Sequence, residues 1–122
     1  MTAKTEGQCY LANGTAIIKH LDGEKKVTEA HAEIVLVHGY PTLTVEPFVK
    51  YGHAWIEIAG LLVYDAESGV MHSRNRYYEI GKIDFDECVL YTPEETRSMI
   101  LEHEHWGPWE EIDVKGDVQN GD

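Results

Sequence analysis

Apolar runs alternate along this chain with polar and turn-forming segments, at a spacing that suits short strands. AEIVLVHGY, ended by Gly39 and Pro41, predicts a buried strand, because β-branched and apolar residues fill it and Gly and Pro stop it. HAWIEI and LLVYDA predict an antiparallel hairpin about Ala59-Gly60, and YYEIGKI and ECVLYT predict two further strands. LDGEKKV reads as a turn, and PTLTVEPFVKY as a loop or a short edge piece.

Helical signals flank these strands. Thr92-Pro93-Glu94-Glu95 combines an N-cap hydroxyl, a proline at the first helical position and a glutamate three residues after the cap. A helix through ETRSMILEHEHW is therefore predicted, stopped at Gly107-Pro108. The segment from Cys9 to Leu21 has two readings. Cys9, Ala12, Ala16 and His20 share a helical stripe, whereas Asn13-Gly14 is a strong hairpin dipeptide; the helix is preferred. The expected fold is α+β: an antiparallel sheet of four to five strands with an N-terminal helix bearing Cys9 and a C-terminal helix. One domain over residues 1–109 and an acidic, disordered tail over residues 110–122 are expected.

Composition narrows the function classes. At 122 residues with 43% hydrophobic content the chain has material for one core, and no apolar run approaches a membrane span. MTAKTEGQC lacks the apolar stretch of a signal peptide, which predicts a cytoplasmic address and free thiols for both cysteines. A formal charge of −12, from 22 acidic and 10 basic residues, repels phosphate backbones and anionic lipids, so neither nucleic acid nor membrane is an expected partner. Oligomeric state leaves no mark in the sequence.

The candidate chemistry lies in GQCY, GHAWIE and VYDAESG. A cysteine attacks carbonyls as thiolate, which a helix N-terminus or a neighbouring imidazolium favours, and the imidazole needs a carboxylate or amide to fix its orientation. Cys9, His53 and Asp65 supply those three groups. Strand geometry sets a condition: a two-residue loop at Ala59-Gly60 points Asp65 away from His53, whereas a three-residue loop, Ile58 to Gly60, pairs the two.

With VLVHGY, these motifs resemble the transglutaminase-like and papain-like cysteine enzymes, and a group of small bacterial and phage-type proteins with the same Cys, HAW, Asp order. The resemblance spans roughly residues 7–92. It implies a papain-like or transglutaminase-like core with the cysteine at a helix start, Cys9 as nucleophile, His53 as general base and acid, and Asp65 as its orienter. It also implies the Cys9 N–H as one oxyanion donor and Gln8 or Asn13 as another. The implied activity is that of a hydrolase or acyltransferase on a peptide, protein or small amide, through a thioester and without a cofactor or metal. The alternative is a non-catalytic, phage-type host-interaction module on the same scaffold. Cys88 reads as a core thiol, and the tryptophans of HEHWGPW as rings packed back on the sheet. A zinc site built from Cys9, His53 and Asp65 is the remaining variant.

Overall fold

The computed structural model of the protein describes residues 2–24, 26–29 and 32–109. The expected tail, residues 110–122, lies outside the described residues. Among the described residues, three helices of eight residues or more and five strands follow one another as α1 (Thr2–Leu21), β1 (Ile34–Gly39), β2 (His53–Ile58), β3 (Leu62–Asp65), β4 (Val70–Ser73), α2 (Arg74–Gly81), β5 (Val89–Tyr91) and α3 (Pro93–His103), with short helical turns at Lys26–Glu29 and Phe85–Glu87. The strands form one antiparallel sheet in the order β4-β3-β2-β1-β5, which puts the two most apolar strands, β1 and β2, at its centre.

Alternation along β1 and β2 sorts side chains onto two faces. Ile34, Leu36, Ala54, Ile56 and Ile58 meet α1 and α3 in the larger core, with Cys9, Tyr10, Ile17, Tyr91 and Trp109. Val37, Trp55 and Val63 occupy the other face, covered by Tyr77 and Tyr78 of α2 together with Ile83 and Cys88. Each fully buried aliphatic or aromatic side chain contributes roughly 1.5–3 kcal/mol. The central pair β1–β2 therefore anchors the fold from both sides.

α3 carries the predicted capping box. The Thr92 hydroxyl accepts the Glu95 N–H at 3.1 Å, and the Glu95 carboxylate accepts the Thr92 N–H at 2.9 Å. The helix stops earlier than its sequence suggests, at His103, because Glu104 turns into the left-handed region at φ 60°. Trp109 is fully buried, its ring 5.0 Å from His38 and 5.1 Å from Tyr91, as the packing reading of HEHWGPW expects.

Two expectations are corrected. YYEIGKI is not a strand: Ser73 caps α2 by accepting the Arg76 N–H at 3.2 Å, and Tyr77 and Tyr78 both lie against Trp55. Tertiary packing outweighs the strand preference of adjacent tyrosines. The strand that precedes it, β4, takes Val70–Ser73 instead. The second correction concerns α1, which begins at Thr2 and not at Cys9, so the cysteine sits within the helix.

Candidate active site

Cys9, His53 and Asp65 converge where β2 and β3 part. Cys9 lies on the buried stripe of α1 with Asn13 and Ile17, at the four-residue spacing that keeps side chains on one helical face. His53 is the first residue of β2, paired with Gly39 of β1, and Asp65 is the last of β3. The hairpin loop has three residues, Ala59 to Leu61, with Ala59 and Gly60 at φ 56° and 67° and Ile58 paired with Leu62. This is the odd loop that the site needs, but its register differs from the expected one. Continued by one pair past Ile56 and Tyr64, it sets Asp65 opposite Trp55, so that Asp65 shares the face of His53 and reaches it diagonally.

Asn13 explains why the hairpin opens at this level. Continued one step further, the register would join Ala54 to Ala66. The Asn13 carboxamide stands between them instead: its NH₂ donates to the Ala54 carbonyl at 3.1 Å, and its oxygen accepts the Ala66 N–H at 2.7 Å. The same NH₂ donates to the Cys9 carbonyl at 2.8 Å and to Asp65 Oδ1 at 3.1 Å. One buried amide thus acts as a wedge in the ladder and ties the helix bearing Cys9 to both strands. Gly14 beside it is equally specific, because a Cβ there would lie 2.8 Å from Cε3 of Trp106. Asn13-Gly14 sits inside a helix for these two contacts.

Asp65 divides its oxygens between two tasks. Oδ1 accepts from Asn13 and from the Glu67 N–H at 3.0 Å, which fixes the turn after β3, and Oδ2 faces His53 Nε2 at an ion-pair separation of 3.7 Å. Burial works against the imidazolium of His53, but Asp65 on one side and the Cys9 thiol as its other hydrogen-bond partner outweigh it and raise the pKa to about 9. Burial likewise works against the charge of Asp65, and His53, Asn13 and the Glu67 N–H prevail and lower its pKa. His53 is therefore an imidazolium at neutral pH, beside a thiol that is 2% exposed.

The expected oxyanion donors fare differently. Asn13 commits its NH₂ to three protein acceptors, so it has no donor to spare in this arrangement. The Cys9 N–H belongs to the interior of α1 and not to its unpaired first turn. Gln8 is exposed, one residue before the thiol. Sequence reasoning missed Tyr51 and read Tyr77 only as sheet packing, which its contact with Trp55 bears out; both phenol pKa values are also raised, first by burial and then by groups that include Cys9 and Asp65. The Tyr51 ring lies 5.7 Å from that of His53.

Cys88 is elsewhere, on the α2 face, where burial pushes its pKa up to about 11. Among the described residues no group of three or more His, Cys, Asp and Glu side chains is arranged to hold a metal ion, and no helix is long and apolar enough to cross a membrane. In comparisons with known proteins, no family model, curated protein or solved structure matches the chain.

Proposed function

We propose that the protein is a small cysteine hydrolase or acyltransferase acting on an amide-type bond, on a papain-like or transglutaminase-like core. The observation that carries this reading is the meeting of Cys9 and Asp65 at the His53 imidazole, which has both as partners and stays protonated at neutral pH. An imidazolium beside sulfur favours the nucleophilic thiolate. Nε2 faces Asp65 at 3.7 Å, and the Cys9 thiol is the second hydrogen-bond partner of the ring.

In the first half-reaction the Cys9 sulfur adds to the substrate carbonyl carbon. The C–N bond then breaks as His53 gives its proton to the departing amine, leaving a thioester and a neutral imidazole. Water, or a second amine, next attacks the thioester while His53 takes its proton. The C–S bond breaks, the acid or new amide leaves, and the thiolate–imidazolium pair is restored. Asp65 holds the ring through both steps. Of the two side-chain amides considered for the oxyanion, Gln8 is the one whose donors are not committed to the wedge.

The test compares the two thiols within one molecule. At pH 7 a thiol with a pKa of about 11 is only about one part in ten thousand thiolate. Iodoacetamide is expected to label Cys9 at least tenfold faster than Cys88, read by peptide mass spectrometry, although Cys9 is the more buried of the two. His53→Ala should remove the difference. Equal or slower labelling of Cys9 in the folded protein would overturn the reading. It would favour the non-catalytic binding module, for which the 2% exposure of Cys9 already speaks.

A further inference from the structure

We infer that the groove between residues 41–51 and α2 is a subsite for an apolar substituent on the leaving amine of the substrate or, in acyl transfer, on the incoming amine. The inference rests on the Cys9–His53 reading above and says which half of the substrate that site selects.

The groove has a volume of about 220 Å³ and is walled by Pro41, Leu43, Tyr51, Tyr77, Ile80 and Ile83. That is below the roughly 300–1,000 Å³ of pockets that enclose whole drug-sized ligands, and it suits one side chain or a short alkyl or aryl group. No Asp, Glu, Lys or Arg lines it. Its polar lining is Thr42, Thr44 and His72, with no carboxylate, ammonium or guanidinium among them, so a charged substituent would lose more hydration than these groups restore and the groove favours a neutral, mainly apolar group.

Its position decides which half of the substrate enters. Tyr51 is a wall shared with the catalytic cluster: its ring belongs to the groove and also lies 5.7 Å from the ring of His53. Tyr77 makes a second link, with its ring 5.3 Å from Trp55, which lies 6.0 Å from His53 on the same strand face. Both phenols are near enough to Cys9 and Asp65 to respond to them. A leaving amine must come within hydrogen-bond reach of His53 to take its proton. Whatever that nitrogen carries is then delivered to the Tyr51 side, where the groove begins. The residues 41–51 segment continues the apolar track outward, since Val45, Phe48 and Val49 are 64%, 56% and 48% exposed on a short turn held by Leu43 N–H to Val49 carbonyl and Phe48 N–H to Val45 carbonyl bonds. Exposed apolar residues clustered beside a groove mark a contact surface more often than a folding requirement.

The chemistry can be probed from the acyl-enzyme side without the natural substrate. p-Nitrophenyl acetate acetylates Cys9, releasing p-nitrophenolate. An added amine then attacks the acetyl carbon as the C–S bond breaks, and His53 accepts the ammonium proton. The loss of acetyl-Cys9 is followed by mass spectrometry and the acetamide product by chromatography, for methylamine, butylamine, benzylamine and phenethylamine at equal free-base concentration. Each rate is divided by that measured with free S-acetyl-N-acetylcysteine, which removes intrinsic nucleophilicity.

The expected result is a preference of about tenfold or more for benzylamine or phenethylamine over methylamine, the range that an apolar pocket provides. Ile80→Trp, which fills the groove from an exposed position, should collapse that ratio. Leu101→Trp, at a separate groove against α1, should leave it unchanged. A flat amine series on an acetylated Cys9, or a ratio untouched by Ile80→Trp, would overturn the subsite and leave the catalytic reading standing. Failure of Cys9 to acetylate at all would overturn both.

Discussion

β2 presents His53, Trp55 and Glu57 on one face, and its two ends have built two different kinds of polar cluster. At the Glu57 end the carboxylate is 3% exposed and receives the Trp55 N–H at 3.0 Å, the Arg74 Nε–H at 2.9 Å and the Tyr78 hydroxyl. The Arg74 guanidinium in turn stacks on Tyr78 and Phe85. Every donor there holds its proton firmly, because burial and then Glu57 raise the pKa of Tyr78, and the pairing with Glu57 outweighs burial and raises that of Arg74. At the His53 end the carboxylate of Asp65 meets an imidazole that titrates at about 9 and has the Cys9 thiol as a second partner, so its proton is far more easily given up than those of the phenol and guanidinium at the other end. Both are buried carboxylate–cation pairs. A saturated pair fastens α2 to the sheet, whereas a pair with a mobile proton is what nucleophilic chemistry requires.

Removing Glu57 should produce the largest effect on stability. Glu57→Ala leaves the Trp55 N–H, the Tyr78 hydroxyl and Arg74 without their acceptor, and a buried pair broken from one side typically costs about 3–5 kcal/mol. Because Arg74 is 26% exposed and regains some water, a loss of about 3 kcal/mol in urea unfolding is expected. Cys9 alkylation in the folded fraction should stay at the wild-type rate. A collapse of that rate would break the comparison, by showing that Trp55 couples the two ends.

The pH dependence of stability should separate the ends next. His53 titrates at 6.5 when unfolded and at about 9 when folded, so its contribution is complete below pH 6.5 and is lost as pH rises through 9. Fully expressed, a shift of that size is on the order of 3 kcal/mol. The difference in unfolding free energy between the wild type and His53→Gln should therefore shrink between pH 6 and pH 9.5. Asp65 acts in the opposite sense: its lowered pKa makes a contribution that is present above the ordinary carboxylate value of 3.8 and lost as pH falls through the folded value. At the other end the Tyr78 phenol is raised by burial and then by Glu57 and stays protonated throughout that window, so Tyr78→Phe should show a nearly constant difference from the wild type between pH 6 and pH 9.5. A constant difference for His53→Gln as well would mean that its imidazole is not held as an imidazolium.

Much of this contrast was legible in the chain. Period-two alternation places His53, Trp55 and Glu57 on one face whatever the surrounding fold, and an odd hairpin loop is enough to bring Asp65 to that face. The capping box of α3 needs only four consecutive residues. What escaped depends on distant partners. The loop begins at Ala59 and not at Ile58 because Ala59 itself adopts φ 56°, which its chemistry does not announce. Tyr77 and Tyr78 form a helix because Trp55 offers them a surface. Asn13-Gly14 has hairpin chemistry but is spent on Ala54, Asp65 and Ala66 by the asparagine and on Trp106 by the glycine.

Asn13 yields the smallest expected change in stability and the sharpest question about which side of the comparison it belongs to. In Asn13→Ala, the Ala54 carbonyl and the Ala66 N–H lose the amide between them. Each unsatisfied buried group would cost about 1–3 kcal/mol, but these two are register neighbours and recover most of that by pairing directly. A net loss of about 1 kcal/mol in urea unfolding is expected. Zipping the ladder moves Asp65, which also forfeits the 3.1 Å bond from Asn13, and an imidazole whose carboxylate has shifted no longer supports the thiolate. Cys9 alkylation at pH 7 should then fall by about tenfold or more, while Cys88 labels as before. Loss of reactivity without matching loss of stability places Asn13 with the His53 end, as the residue that holds the ladder open for the chemistry. The reverse pattern, a large loss of stability with the Cys9 rate intact, would place it with Glu57 as a structural tie.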